Sequence, residues 1–161
     1  MAKPKVAIIM GSESDLKVMN EAASLLKEFG VPYEIKILSA HRTPADTIRY
    51  TREAKARGIS VIIAGSGGAA HLAGVIAAHS VVPVIGVPME TEYLKGIDSL
   101  FSTVQMPSGV PVGCMAIGSA GAKNAALFSL EILAVSDKKI YNKLVQYRQG
   151  LAKSVREKNK H

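Results

Sequence analysis

Five short apolar runs, each released by glycine, serine or proline into a helical pattern, constrain this chain more than any other feature. They are Lys5-Val6-Ala7-Ile8-Ile9-Met10, Pro32 to Leu38, Ile59 to Ala64, Pro83 to Pro88, and Val112 to Ile117. The first, third and fourth are apolar nearly throughout, as in strands covered on both faces. Between them the spacing turns helical: Leu16, Met19, Ala22, Ala23, Leu26 and Phe29 mark one face, and Gly30 is placed as its stop. Further helices are expected from Pro44 to about Arg57, after the Gly65–Gly68 loop through His79, near Asp98 to Val104, and from Ser119 to Val135. Thr43 is expected to cap the second of these, with Pro44 as its first residue and Asp46 completing a capping-box-like start. Such βα alternation predicts an α/β fold with a doubly wound parallel sheet. Right-handed crossovers then bring Gly11–Asp15, Ser39–Arg42, Gly65–His71 and Pro88 onward to one sheet edge, where open α/β sheets bind ligands.

A chain of 161 residues, 48% of them hydrophobic, fits one domain over 1–161. The formal charge of +7 invites a nucleic-acid reading, but its distribution argues against one: residues 1–136 carry +1 and residues 137–161 carry +6. Ile140, Leu144, Tyr147, Leu151 and Val155 recur at helical spacing in that tail, giving a basic amphipathic C-terminal helix suited to contacts between subunits. Cys114 is the single cysteine, so no intramolecular disulfide forms and a packed thiol in a reducing compartment is expected. Val6–Met10 is too short for a signal sequence and no run reaches membrane-spanning length, so the expectation is a cytoplasmic protein without membrane or nucleic-acid partners.

Candidate chemistry lies in the loops. Ser12, Ser14 and Asp15 precede the first helix, where free backbone donors and the helix dipole favour an anion. The serines suit phosphate, and the Asp15 carboxylate suits sugar hydroxyls; alternatively, Ser14 or Asp15 simply caps the helix. Arg42, at a second helix start, offers a fork of donors matched to phosphate. His41 stands beside it, and imidazole is the side chain best suited to moving protons near neutrality. His41 and His71 are the histidines of this edge, without a third partner at metal spacing, so no metal is expected. Gly65-Ser66-Gly67-Gly68-Ala69-Ala70, with Glu90 some twenty residues on, satisfies the dinucleotide fingerprint formally and makes an NAD- or NADP-binding protein the alternative. The same loop suits close approach of backbone amides to a small carboxylate or carbon dioxide. Gln105 to Pro111, broken by two prolines and a glycine, is irregular and is expected to cap a site.

Met10-Gly11-Ser12-Glu13-Ser14-Asp15, Ser39-Ala40-His41-Arg42-Thr43-Pro44, Ala64 to Leu72, and Asp98-Ser99-Leu100 with Gln105-Met106-Pro107 occur in this order. In these blocks the chain resembles the class I N(5)-carboxyaminoimidazole ribonucleotide mutases of purine biosynthesis, the bacterial-type PurE family. The resemblance runs from about Lys5 to about Tyr147. It implies a three-layer, flavodoxin/Rossmann-like α/β fold, a homo-octamer in which the C-terminal helix reaches a neighbour, and no metal or nucleotide cofactor. Carried over by position, Ser12 and Arg42 would bind phosphate and Asp15 the ribose, with His41 as general acid/base and Ser14 among the substrate-binding residues. Ser39 with the Gly65–Gly68 backbone, Ser66 and Gly67 included, and His71 would line the pocket for the migrating carboxylate, under the Met106 to Pro111 segment. The related carboxylase class carries lysine after the histidine and lacks the His71-type motif, so Arg42 and His71 favour the mutase. Ser66 and Ala73 stand where many members have alanine and proline, and Met89 to Lys95 is a variable stretch.

Overall fold

Unbroken burial along the central strands decides the architecture. In the first strand, β1 (Val6–Met10), all five residues are buried. Val6, Ile8 and Met10 join a core with Met19, Leu26 and Leu130, while Ala7 and Ile9 join a second core with Tyr50, Ile62 and Ile76. Successive side chains of a strand point to opposite faces, so two cores require helices on both sides of the sheet. The computed structural model describes residues 5–159; the last two residues of the expected C-terminal helix, including His161, lie outside them.

The elements run β1, α1 (Leu16–Phe29), β2 (Tyr33–Ile37), α2 (Pro44–Glu53), β3 (Val61–Ser66), α3 (Leu72–His79), β4 (Val84–Pro88), α4 (Ile97–Val104), β5 (Gly113–Cys114), α5 (Gly118–Ala134) and α6 (Lys138–Lys158). All strand pairs are parallel, in the order β2-β1-β3-β4-β5. This is the expected three-layer, doubly wound, flavodoxin-like sheet, in which the connections change direction between β1 and β3. Helices α1 and α5 cover one face; α2 and α3 cover the other. At the carboxyl edge the ladder reaches past the strands, with Gly11 N–H donating to Gly65 O at 3.2 Å and Leu38 N–H to Met10 O at 2.9 Å. The first two βα loops and the third therefore leave the sheet side by side.

Several local expectations change. Strand β2 lies at the sheet edge and is only half covered, with Ile37 51% exposed. Helix α2 stops at Glu53 and continues as turns to Gly58, whose φ of +95° suits glycine. Strand β5 pairs only over Gly113–Cys114, because after Met115 N–H bonds Gly86 O the chain folds back over the start of α5. Cys114 is accordingly half-buried, and burial pushes its thiol pKa up. Gly65 and Ser66 belong to β3 and not to the loop.

The C-terminal helix begins at Asp137, whose carboxylate accepts from the amides of Lys139 (3.0 Å) and Ile140 (3.3 Å). Its expected apolar stripe divides in two. Ile140 and Leu144 are buried and Tyr147 meets Phe29 edge-on at 5.7 Å, whereas Leu151 and Val155 are 53% and 61% exposed. Arg148 still reaches back to Glu131; the last turns stand clear of the chain's own body.

Candidate active site

A cleft of about 440 Å³ opens at the carboxyl edge, over β1 and β3 and their neighbours. Ser12, Ser14, Asp15, Ser39, His41, Arg42, Ser66, Gly67 and His71 all line it. Parallel topology explains the convergence, since every βα loop of such a sheet leaves from the same edge and every following helix turns its N-terminus toward it.

The loop after β2 is held by its own hydroxyls. Thr43 Oγ1 accepts from the Ser39 amide at 3.0 Å and donates to the Ser39 carbonyl at 3.2 Å, while Ser39 Oγ accepts from the Arg42 amide at 3.1 Å. Thr43 is thus the residue before α2 but does not cap it through its side chain, and Asp46 pairs with Arg49 instead of closing a capping box. The hydroxyl turns backward because the Ser39 peptide needs partners in a tight turn that offers no ladder. Arg42 then leans across to the neighbouring loop, where Nη2 donates to Gly11 O at 2.7 Å. This bond, with a longer one from Nε to Ser39 Oγ at 3.5 Å, fixes the guanidinium over the β1 loop and leaves Nη1 and the second Nη2 hydrogen for a ligand.

In the β1 loop, Ser12 is the cap. Its Oγ accepts from Ser14 N–H at 3.4 Å, ahead of a 3₁₀ turn over Glu13–Asp15. Neither Ser14 nor Asp15 makes a side-chain cap bond, so the simple capping reading does not account for them. The Asp15 carboxyl is held above its ordinary pKa chiefly by burial, which outweighs the opposing effects of the Ser14 hydroxyl, the Ser12 backbone and the Arg42 charge. A carboxylate kept partly dehydrated without a saturating partner is an acceptor poised for hydroxyl donors.

The two histidines meet. His41 Nε2 lies 2.8 Å from His71 Nδ1, with the rings perpendicular and their centroids 4.9 Å apart. A hydrogen bond between two imidazole nitrogens needs one proton between them, so one ring donates and the other accepts. Thirty residues separate them in the chain; the loops after β2 and β3 flank the β1 loop and bring them together. Both rings are exposed to the cleft. Among the described residues no group of three or more His, Cys, Asp or Glu side chains is placed to hold a metal ion.

The β3 exit forms the opposite wall. A Cβ on Gly67 would stand 3.3 Å from Met89 Cβ, so a side chain there would press on β4's exit. Met89 and Glu90 also line the cleft, although Met89 has no expected site role and Glu90 has one only in the dinucleotide alternative. Their position just past β4 was the available signal, because that strand ends at the same edge. Met106 is the exception among the expected residues. It does not line the chain's own cleft but packs near α3, where a Cβ on Gly74 would meet its Sδ at 3.2 Å. Residues 105–112 connect the end of α4 to the start of β5, so they lead toward the amino edge of the sheet and cannot roof the carboxyl edge of the same chain.

The sequence profile of the family described as AIR carboxylase matches residues 5–154. The N5-carboxyaminoimidazole ribonucleotide mutase of Pyrococcus horikoshii is 58% identical over 98% of this chain and 88% of its own length. That of Thermotoga maritima is 53% identical over 96% of this chain and 90% of its own. Among solved structures, the crystal structure of Treponema denticola PurE superposes with a TM-score of 0.87 at 31% identity, covering 96% of this chain and 95% of that one. The dinucleotide-binding alternative draws no support from these relatives, and in the fold its first glycine, Gly65, lies inside β3, with only Gly67 and Gly68 in the loop and α3 starting at Leu72.

Proposed function

The chain belongs to the AIR carboxylase family, and from that premise we propose that it is an N5-carboxyaminoimidazole ribonucleotide mutase of purine biosynthesis. The observation that carries this reading is the meeting of His41 and His71 in the cleft that also holds Arg42 and Asp15. The substrate is a ribonucleotide whose phosphate is taken by Arg42, Ser12 and Ser14, and whose ribose hydroxyls donate to Asp15. The imidazole ring then lies toward His41.

In the first step His41 gives a proton to the exocyclic nitrogen as its bond to the carboxylate carbon breaks and carbon dioxide leaves. In the second, the ring carbon attacks carbon dioxide, and His41, now a base, removes the proton from that carbon. One residue serves both steps because the first leaves it in the state the second needs. His71 holds the His41 ring in place before substrate arrives and yields His41 Nε2 to the substrate amine. The backbone of Gly67, with Ser39, Ser66 and His71, confines carbon dioxide between steps, where escape into water would waste it. The reaction is an isomerisation, so protons and carbon balance without a cofactor.

An ultraviolet assay tests the proposal by comparing carboxyaminoimidazole ribonucleotide with aminoimidazole ribonucleotide plus bicarbonate. Efficient use of the first alone is the expected result. Use of the second alone would make the protein a carboxylase, and saturable NAD or NADP binding by calorimetry would restore the dinucleotide alternative.

Arg42→Ala is expected to act on binding. Losing charge-assisted hydrogen bonds to phosphate costs about 1.5–3 kcal/mol, roughly a 10- to 150-fold rise in KM, with kcat changed far less. The dephosphorylated substrate should show little difference between the two proteins. An equal penalty on both substrates would remove Arg42 from the phosphate site.

Among the described residues no helix is long and apolar enough to cross a membrane, and with the lone Cys114 this supports the cytoplasmic setting we propose. The exposed Leu151 and Val155 of α6 support a homo-oligomer, an octamer on the family pattern, in which that helix lies against a neighbouring copy. Sedimentation of the full chain measures this directly.

A further inference from the structure

Asp98-Ser99-Leu100, a signature stretch with no part in the chemistry above, meets the cleft wall from behind. Ser99 is fully buried on α4, and its Oγ accepts from the Gly68 amide at 2.9 Å. A hydroxyl inside a helix ordinarily returns to the carbonyl four residues earlier. Ser129 and Thr103 do so, bonding Ala125 O and Ser99 O at 2.8 Å each. Ser99, the third residue of α4, has no carbonyl of its own helix four residues behind it, and its oxygen accepts from a loop amide. Three residues on, Ser102 Oγ shares its hydrogen between the Asp98 carbonyl at 2.7 Å and the Gly68 carbonyl at 3.2 Å. Both backbone polar groups of Gly68 therefore end on α4.

Gly68 has φ +66°, and a Cβ built on it would touch nothing within 4 Å. Hydrogen bonds from α4, not packing of a side chain, hold the bend. Helix α4 is itself pinned to β4's exit, since Thr91 Oγ1 donates to Asp98 Oδ1 at 2.7 Å and accepts from the Gly96 amide at 3.1 Å. The brace thus runs from β4 through α4 to the loop that carries Gly67 and His71. It also removes the Gly68 amide from the donors that can meet a carboxylate.

We infer that Ser99, supported by Ser102, is a positioning residue that sets the shape of the Gly67–His71 wall and through it the confinement of the migrating carboxyl group. The kinetic consequence rests on the mutase reading; the structural one does not. Ser99→Ala in the full chain removes the acceptor, and two measurements read the result. Hydrogen exchange of the peptide spanning residues 66–72 should quicken about tenfold, the worth of one lost hydrogen bond, while peptides from α1 and α5 stay unchanged. kcat should fall about tenfold with KM within about threefold, because the phosphate and ribose contacts are untouched, and more substrate should end as the decarboxylated amine. Ser102→Ala should shift both readouts the same way by less. If Ser99→Ala fails to fold, Ser99→Cys, of similar volume and a weak acceptor, should move them in the same direction. Unchanged exchange at 66–72, or exchange quickened equally throughout the chain, overturns the inference. So does normal exchange with a lowered kcat. If the wild-type chain transfers no carboxylate, the mutase reading fails and the exchange result alone decides the role of Ser99.

Discussion

Replacing His41 by Asn should lower turnover by roughly 10²–10⁴-fold, the usual worth of a positioned proton donor and acceptor, while substrate still binds. The expectation follows from where His41 stands. Its ring is exposed to the cleft beside Arg42, and its Nε2 is engaged by His71. Asparagine keeps a hydrogen-bonding side chain of similar reach but neither gives nor takes a proton near neutrality. Both proton transfers should therefore fail together, and binding, measured by calorimetry, should stay within a few-fold. His71→Asn separates the roles of the two rings. It removes the group that orients His41 but not the one that moves the proton, so its loss should be smaller and should alter the pH profile of kcat. Retained turnover in His41→Asn, or equal losses in the two variants with an unchanged pH profile, would sink the assignment.

The largest effect on stability is expected from Gly121→Ala, a change that helix propensity alone would favour by about 1 kcal/mol. Gly121 lies in the first turns of α5, buried under the segment that leaves β5. An added Cβ would collide with the carbonyl oxygen of Ala116, and this neighbour is backbone, not the movable end of a side chain. Residues 115–117 would have to lift, drawing Met115 N–H from Gly86 O and loosening the last strand pairing. Overpacking against backbone costs about 3 kcal/mol or more, a drop of roughly 10 °C in Tm for a domain of this size. Gly150→Ala is the control. Gly150 sits in α6 with nothing within 4 Å of its Cβ position, so the same substitution there should raise stability or leave it unchanged. Equal effects at the two glycines would show that propensity, not the Ala116 contact, governs α5.

Strands β1, β3 and β4 were legible because each is apolar on both faces and short, a pattern only a sheet sandwiched between helix layers satisfies. Gly30 was legible as the end of α1, and its φ of +72° gives the reason. Elements that depend on what packs on them were harder to read. Val112 to Ile117 has the composition of a strand but pairs for two residues, because the Ala116 carbonyl is taken up against Gly121. Thr43 has the type and position of a cap, yet its hydroxyl is spent on Ser39. In each case the local signal was correct in kind, and a competing contact decided the outcome.

The candidate site divides in the same way. That Ser12, Asp15, Ser39, His41, Arg42 and His71 share one edge follows from the chain alone, because a parallel sheet with right-handed crossovers sends every strand-to-helix loop to the same side. The same rule, applied to the opposite connection, takes Met106 away from its own chain's cleft. What the sequence by itself determined is the βα alternation, the edge and the list of groups delivered there. Only the tertiary structure decided which of those groups touch: His41 with His71, Arg42 with the Gly11 carbonyl, and Ser99 with the Gly68 amide. Periodicity and residue type act within one element, whereas these three contacts each span about thirty residues and depend on tenths of an ångström in how neighbouring loops leave the sheet.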